Sequence, residues 1–312
     1  MLFLGGLGRS GTTLLERILG ELPGVCALGE VVHMWRRDVI DDERCGCGDR
    51  FSRCGFWQQV GADAFGGWGE SQALRVIALR AAVERTRNLP ELAAPRLRTV
   101  RARLVGEYTD AYRKVYQAAA KVSGATVVVD SSKHASLAFC LRWCPDIDLR
   151  VVHMVRDPRG VAYSWTKQRT RPEADGNAEM TRYPPVRSAL LWNALNTAFG
   201  VLERLGTPVR RLRYEEFLAD PVTTVEGIRR FVDLPPDPAA LGFLTDHTAQ
   251  LGRSHSAAGN PMRFTTGQVA LRSDNAWRSE LAAPQRHLVG ALTAPLLTAY
   301  GYPLAPRAEV TR

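Results

Sequence analysis

Apolar and polar positions follow two different rhythms along this chain. Short, nearly unbroken apolar runs stand at Leu2-Phe3-Leu4, at "ATVVVD" (125–130) and at "LRVVHMV" (149–155). Runs of that length, bounded by glycine, serine or proline, predict strands buried on both faces. Between them the apolar residues recur at helical spacing. "VRSALLWNALNTAFGVLERL" (186–205) is the clearest case, and residues 70–122 carry a mostly helical pattern broken near Pro90 and Pro95. Further helices are predicted over about 222–232, before Pro235-Pro236, and over 280–299. "TPVRRLRYEEFLADP" reads as a short strand and a turn of helix, and "SHSAAGNPMRFTTG" as a loop. Residues 24–69, rich in Gly, Cys and Trp without a clear period, read as irregular covering structure.

Buried strands alternating with helices predict an α/β fold, a mostly parallel central sheet flanked by helices. No internal repeat or low-complexity tract divides the chain. The expectation is a single domain over 1–312, with helical and irregular insertions at about 24–122 and 170–200. Parallel sheets of this kind bind ligands beyond the carboxyl ends of their strands. The segments that follow the three apolar runs therefore converge on one edge.

Composition changes this picture in one respect. The net charge is +9, and all but four of the 41 cationic side chains are arginine. Arginine's planar fork suits phosphate or sulfate oxygens. No arginine cluster is interleaved with aromatics in the manner of a nucleic-acid surface. No apolar stretch approaches the length of a membrane span. The apolar N-terminus has no basic leader and serves as the first strand, so the expected location is the cytoplasm.

Chemistry concentrates at the predicted carboxyl edge. "GRSGTTLL" (8–15) follows the first strand as a glycine-rich turn that opens a helix. With Gly6 the spacing is that of a Walker phosphate loop, except that Thr12 stands where the loop lysine belongs. Backbone N–H groups of Gly8, Arg9, Ser10, Gly11, Thr12 and Thr13, with the three hydroxyls, can surround an anion at the helix N-terminus. "VRDPRGVAYSW" follows the third run. There Asp157 is placed to cap a helix that begins at Pro158, and Arg156 with Ser164, eight residues on, can hold a second anion.

These motifs, with "LRYEEF" after them, resemble the sulfotransferases that use 3′-phosphoadenosine-5′-phosphosulfate (PAPS), in the right order and from about residue 2 to 233. The resemblance implies a P-loop-like sulfotransferase fold. It implies that the first motif is the 5′-phosphosulfate loop, that Arg156 and Ser164 hold the 3′-phosphate, and that Tyr214 contacts the adenine. Arg9 stands where many members of the family carry a lysine. "CALGEVVHMW" is similar to the segment of tyrosylprotein sulfotransferases that bears a catalytic glutamate, which picks out Glu30 as the base; His33, His134 and His153 are the other candidates. Lys133, in "DSSKH", matches a lysine of those enzymes that steadies the sulfuryl group. Ser131 and Ser132 read as helix caps, and His153 as a core histidine. A late basic loop of the family points to Arg263, in "GNPMRF", for the 3′-phosphate.

The implied activity is transfer of a sulfuryl group from PAPS to a hydroxyl acceptor, a small molecule, a sugar or a natural product, with no metal required. The acceptor pocket is expected between the two insertions. Two other readings stand beside it. A P-loop kinase or ATPase would require a magnesium ligand, for which Asp130 is placed, and a non-catalytic nucleotide-binding protein would not require Glu30 and Lys133. Cys45, Cys47 and Cys54, in "CGCGDRFSRCGFW", are spaced for a zinc knuckle, but a structural zinc takes four ligands. His33 or Cys26 would have to supply the fourth. The reading adopted is reduced, packed cysteines or a local disulfide, without metal.

Overall fold

The computed structural model describes residues 1–94, 96–168 and 181–304. Pro95 and the first part of the 170–200 segment lie outside the described residues. In chain order the elements are β1 (Leu2–Gly5), α1 (Thr12–Leu19), β2 (Val25–Ala27) and α2 (Val31–Met34), which runs into a π-helical stretch at Trp35–Ile40. There follow α3 (Gly55–Phe65), α4 (Glu70–Val83), α5 (Leu89–Leu92), α6 (Thr99–Ser123), β3 (Val127–Lys133) and α7 (Ala135–Leu141). Next come β4 (Arg150–Val155), α8 (Pro158–Thr166), α9 (Pro185–Arg204), β5 (Val209–Arg213), α10 (Tyr214–Ala219) and α11 (Pro221–Phe231). The chain closes with β6 (Thr248–Leu251), β7 (Gly267–Ala270), α12 (Trp277–Glu280) and α13 (Ala283–Ala299).

The central sheet has the order β2-β3-β1-β4-β5, and every neighbouring pair is parallel. β6 and β7 form a separate antiparallel hairpin. The apolar runs are continuous because both sheet faces are covered. Successive side chains of β1 point to opposite sides. Phe3 joins a core with Val128, Val151, Trp35, Trp57, Tyr108 and Tyr112, whereas Leu2 and Leu4 join Leu15, Ile18, Phe217 and Ile228. The first of these cores is built largely from the 24–122 insertion. Its Trp57 is fully buried, so truncation to alanine is expected to cost about 3–5 kcal/mol.

Residues 24–69 depart from the expectation of irregular structure. They hold an edge strand, two α-helices and the π-helical stretch. β2 is only three residues long, and α3 buries just Trp57, Val60 and Gly61. The aromatic cluster of Trp35, Phe51, Trp57, Phe65 and Trp68 holds this region, with ring centroids 5.3–6.3 Å apart. A few large rings do the work of an apolar stripe, so no period reaches the sequence. No helix among the described residues is long and apolar enough to cross a membrane.

Candidate active site

Each of the five parallel strands delivers one singled-out side chain beyond its carboxyl end: Arg9 after β1, Glu30 after β2, Lys133 at the end of β3, Arg156 after β4 and Tyr214 after β5. The loop after β1 is shaped by positive φ. Gly6 has φ 137°, and a Cβ there would lie 2.4 Å from the Met154 carbonyl oxygen. Gly11 has φ 91°, and a Cβ there would lie 2.4 Å from the Tyr214 ring. Arg9 is also left-handed, with φ 76°. Turns of this kind face successive N–H groups toward one concavity. Ser10 and Thr12 are each 1% exposed, and the Thr12 hydroxyl has no hydrogen-bond partner among the described residues. The Trp165 indole N–H donates to the Gly8 carbonyl at 3.0 Å, and the Arg9 guanidinium lies over the same indole at 5.1 Å.

Glu30 precedes α2, and its carboxylate accepts a hydrogen bond from the Lys133 ammonium. His33 Nε2 lies 3.7 Å from the other carboxylate oxygen. Burial alone would raise the Glu30 pKa, but the charges of Lys133 and His33 outweigh it and hold the group at about 2. Burial pushes His33 down to about 3, against the pull of Glu30. Lys133 ends β3 with φ 69°, a left-handed backbone for a residue with a side chain. His134 meets His33 edge-on at 5.5 Å and lies 3.7 Å from Glu84 and 3.4 Å from Arg80. Behind it, Tyr108 donates to Glu84 at 2.7 Å, and Arg80 donates to the Val32 carbonyl at 3.0 Å. The insertion thus supplies a second layer to the Glu30 cluster.

Arg156 ties three segments together. It donates to the Arg9 carbonyl at 3.1 Å and to the Asp274 carbonyl at 3.2 Å, and it stacks on Tyr214 at 4.7 Å. Ser164, 6% exposed, stands two turns up α8. As expected, Asp157 caps that helix, accepting from the Arg159 N–H at 2.9 Å with Pro158 at its first position. It also pairs with the buried Arg159 guanidinium at 2.7 Å. His153 is a core histidine, 2% exposed, bonded to Asn196 at 2.7 Å and stacked on Phe199.

Several residues fall elsewhere. Arg263 is 1% exposed, donates to the Arg44 carbonyl at 2.7 Å and is attracted to the Asp38 carboxylate. The late segment that reaches Arg156 is the one at Asp274. Ser131 and Ser132 do not cap α7, the helix that follows them. Ser131 donates to Glu16 at 2.9 Å, and the Ser132 hydroxyl accepts from the Val32 N–H at 2.9 Å, because both face buried elements across the sheet. Asp130, the would-be magnesium ligand, is fully buried; one oxygen accepts from Tyr116 at 2.6 Å and the other from the Ser132 N–H at 2.7 Å. The six cysteines are free thiols, and Cys45, Cys47 and Cys54 gather around His255 instead of Cys26 or His33. Glu84, Arg80 and Tyr108 carried no sequence signal, since helical spacing assigns them only a face.

A family described as "Sulfotransferase family" matches this chain over residues 2–238. Among solved structures, the sulfotransferase domain from the curacin biosynthetic pathway superposes with a TM-score of 0.53 at 14% identity, covering 98% of each chain. A sulfotransferase from Alicyclobacillus acidocaldarius gives 0.43 at 16% identity over 97% of this chain and 96% of that one. A sulfotransferase from Mycobacterium tuberculosis H37Rv gives 0.40 at 17% over 77% and 68%. A comparison with curated proteins finds no match. At these identities the likeness to the curacin-pathway domain speaks for the fold. The family match runs from the first strand past α11 and takes in all five carboxyl-edge segments, and by it the chain belongs to the sulfotransferase family.

Proposed function

We propose that the protein moves a sulfuryl group from PAPS to a hydroxyl acceptor: a small molecule, a sugar or a natural product. The observation that carries this reading is the delivery of Arg9, Glu30, Lys133, Arg156 and Tyr214 to one edge by five successive parallel strands. The left-handed backbone at Gly6, Arg9 and Gly11 and the unpartnered Thr12 hydroxyl suit an anion in the first loop. Gly8, Arg9, Ser10, Gly11, Thr12 and Thr13 would hold the phosphosulfate, Arg156 and Ser164 the 3′-phosphate, and Tyr214 the adenine. Arg263, drawn toward Asp38 and Arg44, serves a structural junction in this reading.

When bound, the donor supplies a sulfur whose bond to the bridging oxygen breaks as the acceptor oxygen bonds to it. Arg9 and Lys133 offset the charge that grows on the departing oxygen. Glu30 takes the acceptor's proton. Its low pKa in the unliganded protein makes it a weak base, and Lys133 is the reason. Once the ammonium turns to a bound anion, burial acts on Glu30 without that counter-charge and raises its proton affinity. The base strengthens when the donor is in place. The transfer itself needs no metal in this reading, the insertions border the acceptor, and the free thiols suit a reducing cytoplasm.

Thermal stabilisation tests the reading. Adenosine 3′,5′-bisphosphate without magnesium should raise Tm, since a ligand that binds only the folded state stabilises it. Stabilisation by Mg-ATP alone would overturn it. Labelled PAPS, offered with a panel of hydroxyl compounds, then identifies the acceptor class.

A further inference from the structure

The second constellation of the molecule lies outside the carboxyl edge. Cys45, Cys47 and Cys54 come from the 24–69 segment and His255 from the connection between β6 and β7, about 200 residues later, yet their ligand atoms all lie within 4.8 Å of one another. Cys47 and Cys54 sulfurs are 3.8 Å apart. The His255 Nδ1 is 3.2 Å from the Cys54 sulfur and 3.9 Å from the Cys45 sulfur. A disulfide needs its sulfurs at about 2.05 Å. A tetrahedron around zinc, with bonds of about 2.3 Å to sulfur and about 2.05 Å to nitrogen, has edges of about 3.8 Å between sulfurs and about 3.5 Å from sulfur to nitrogen. The observed separations match that figure and not a disulfide.

The surroundings are prepared for thiolates. Gly48, with φ 97°, closes the turn through its N–H to the Cys45 carbonyl at 2.8 Å. Cys54 sits immediately before α3, whose N-terminal dipole favours negative charge. The histidine is held as firmly. Its ring stacks on Phe56 at 5.0 Å, and its carbonyl accepts from the Trp57 indole at 2.8 Å. Cys45 and Cys54 are at most 1% exposed, whereas His255 faces solvent and leaves an entry path.

We propose that Cys45, Cys47, Cys54 and His255 form a structural zinc site. Three thiols lose their protons to solvent on binding, so the occupied site carries one net negative charge. Four protein ligands complete a tetrahedron and leave no open position for substrate, which separates this site from catalysis. Its effect is mechanical. The segment that carries His255 also walls the candidate base: Ala257 N–H donates to the Leu28 carbonyl at 2.7 Å, Glu30 N–H donates to the Ala257 carbonyl at 3.1 Å, and Ser256 bonds the buried Glu16 at 2.7 Å. The Gly46 N–H donates to the Ser256 carbonyl at 3.0 Å, so the two halves of the site already touch. The metal clamps a late loop onto an early insertion and fixes the wall behind Glu30.

Elemental analysis of the untagged full-length protein, purified under reducing conditions without chelator, should find about one zinc per chain. The metal-stripped protein, given Co(II), should develop thiolate-to-cobalt charge transfer and the visible bands of a tetrahedral site. Cys54→Ser and His255→Ala should each lose both signals, and Cys26→Ser should keep them. Should the buried Cys54 variant fail to fold, the wild-type zinc content and cobalt spectrum still decide the matter. A zinc-free protein whose Co(II) spectrum lacks thiolate charge transfer overturns the proposal. So does a native disulfide between any two of the three cysteines.

Discussion

At the scale of single residues, the Glu30–Lys133 pair makes the sharpest statement. In the free protein Glu30 stays ionised down to about pH 2, so kcat/KM for the donor should show no acid limb from it within the range of ordinary assays. On the proposed mechanism, turnover at saturating substrates should show one, because Lys133 would then engage the bound anion. Glu30→Gln should abolish that limb and slow turnover by about 10²–10⁴-fold, with binding of adenosine 3′,5′-bisphosphate retained. Lys133→Met should raise the Glu30 pKa in the free protein as well, since only the neighbouring histidines then oppose burial. A limb that survives in Glu30→Gln and vanishes in His33→Ala or His134→Ala would transfer the role to a histidine. Stability should follow the same charges. Glu30's depressed pKa contributes stability above about pH 4.5 that is lost as pH falls toward 2, and His33, held neutral, must take up a proton between 6.5 and about 3. Both make acid destabilising.

At the scale of elements, α8 argues the donor site. Its cap and first proline fix where the helix starts, and that start places Arg156 just before it and Ser164 two turns up. Arg156→Ala and Ser164→Ala should weaken adenosine 3′,5′-bisphosphate by about 1.5–3 kcal/mol each while leaving AMP nearly unchanged, as read by calorimetric titration. Equal losses for both nucleotides would make the pair structural, a role that the Arg156 bonds to Arg9 and Asp274 also support. The same element shows what a sequence discloses. α8, β1, β3 and β4 were legible because caps and buried apolar runs are local signals. β2 and the π-helical stretch were not, since one is three residues long at a sheet edge and the other is held by rings from distant segments. At the carboxyl edge, motif position put Glu30 and Lys133 after neighbouring strands, where the structure pairs them, whereas the partnership of Arg263 with Arg44 and of Cys54 with His255 spans about 200 residues and leaves no spacing to read.

At the scale of the whole molecule, the first core draws Trp35, Trp57 and Tyr108 of the insertion together with Phe3 and Val151 of the sheet. A single unfolding unit over the chain is the proposal that follows. Calorimetry should give one transition whose van't Hoff and calorimetric enthalpies agree. Two transitions would make the insertion a domain of its own.

The left-handed backbone at Arg9 and Lys133 has a consequence for how this protein can be improved. Glycine would adopt either conformation freely, and a side chain there costs about 1–2 kcal/mol. Arg9→Gly and Arg9→Ala both remove the guanidinium and should lose a similar 2.7–4 kcal/mol or so of transition-state stabilisation. The glycine variant should nonetheless melt higher than the alanine variant. A laboratory selection for heat resistance alone would therefore drift toward glycine at position 9 and breed sturdier descendants without the guanidinium, whereas at position 133 the loss of the ammonium that pairs with buried Glu30 opposes that drift. Near-normal turnover in either Arg9 variant would show that the strained arginine serves the loop's shape and not the reaction.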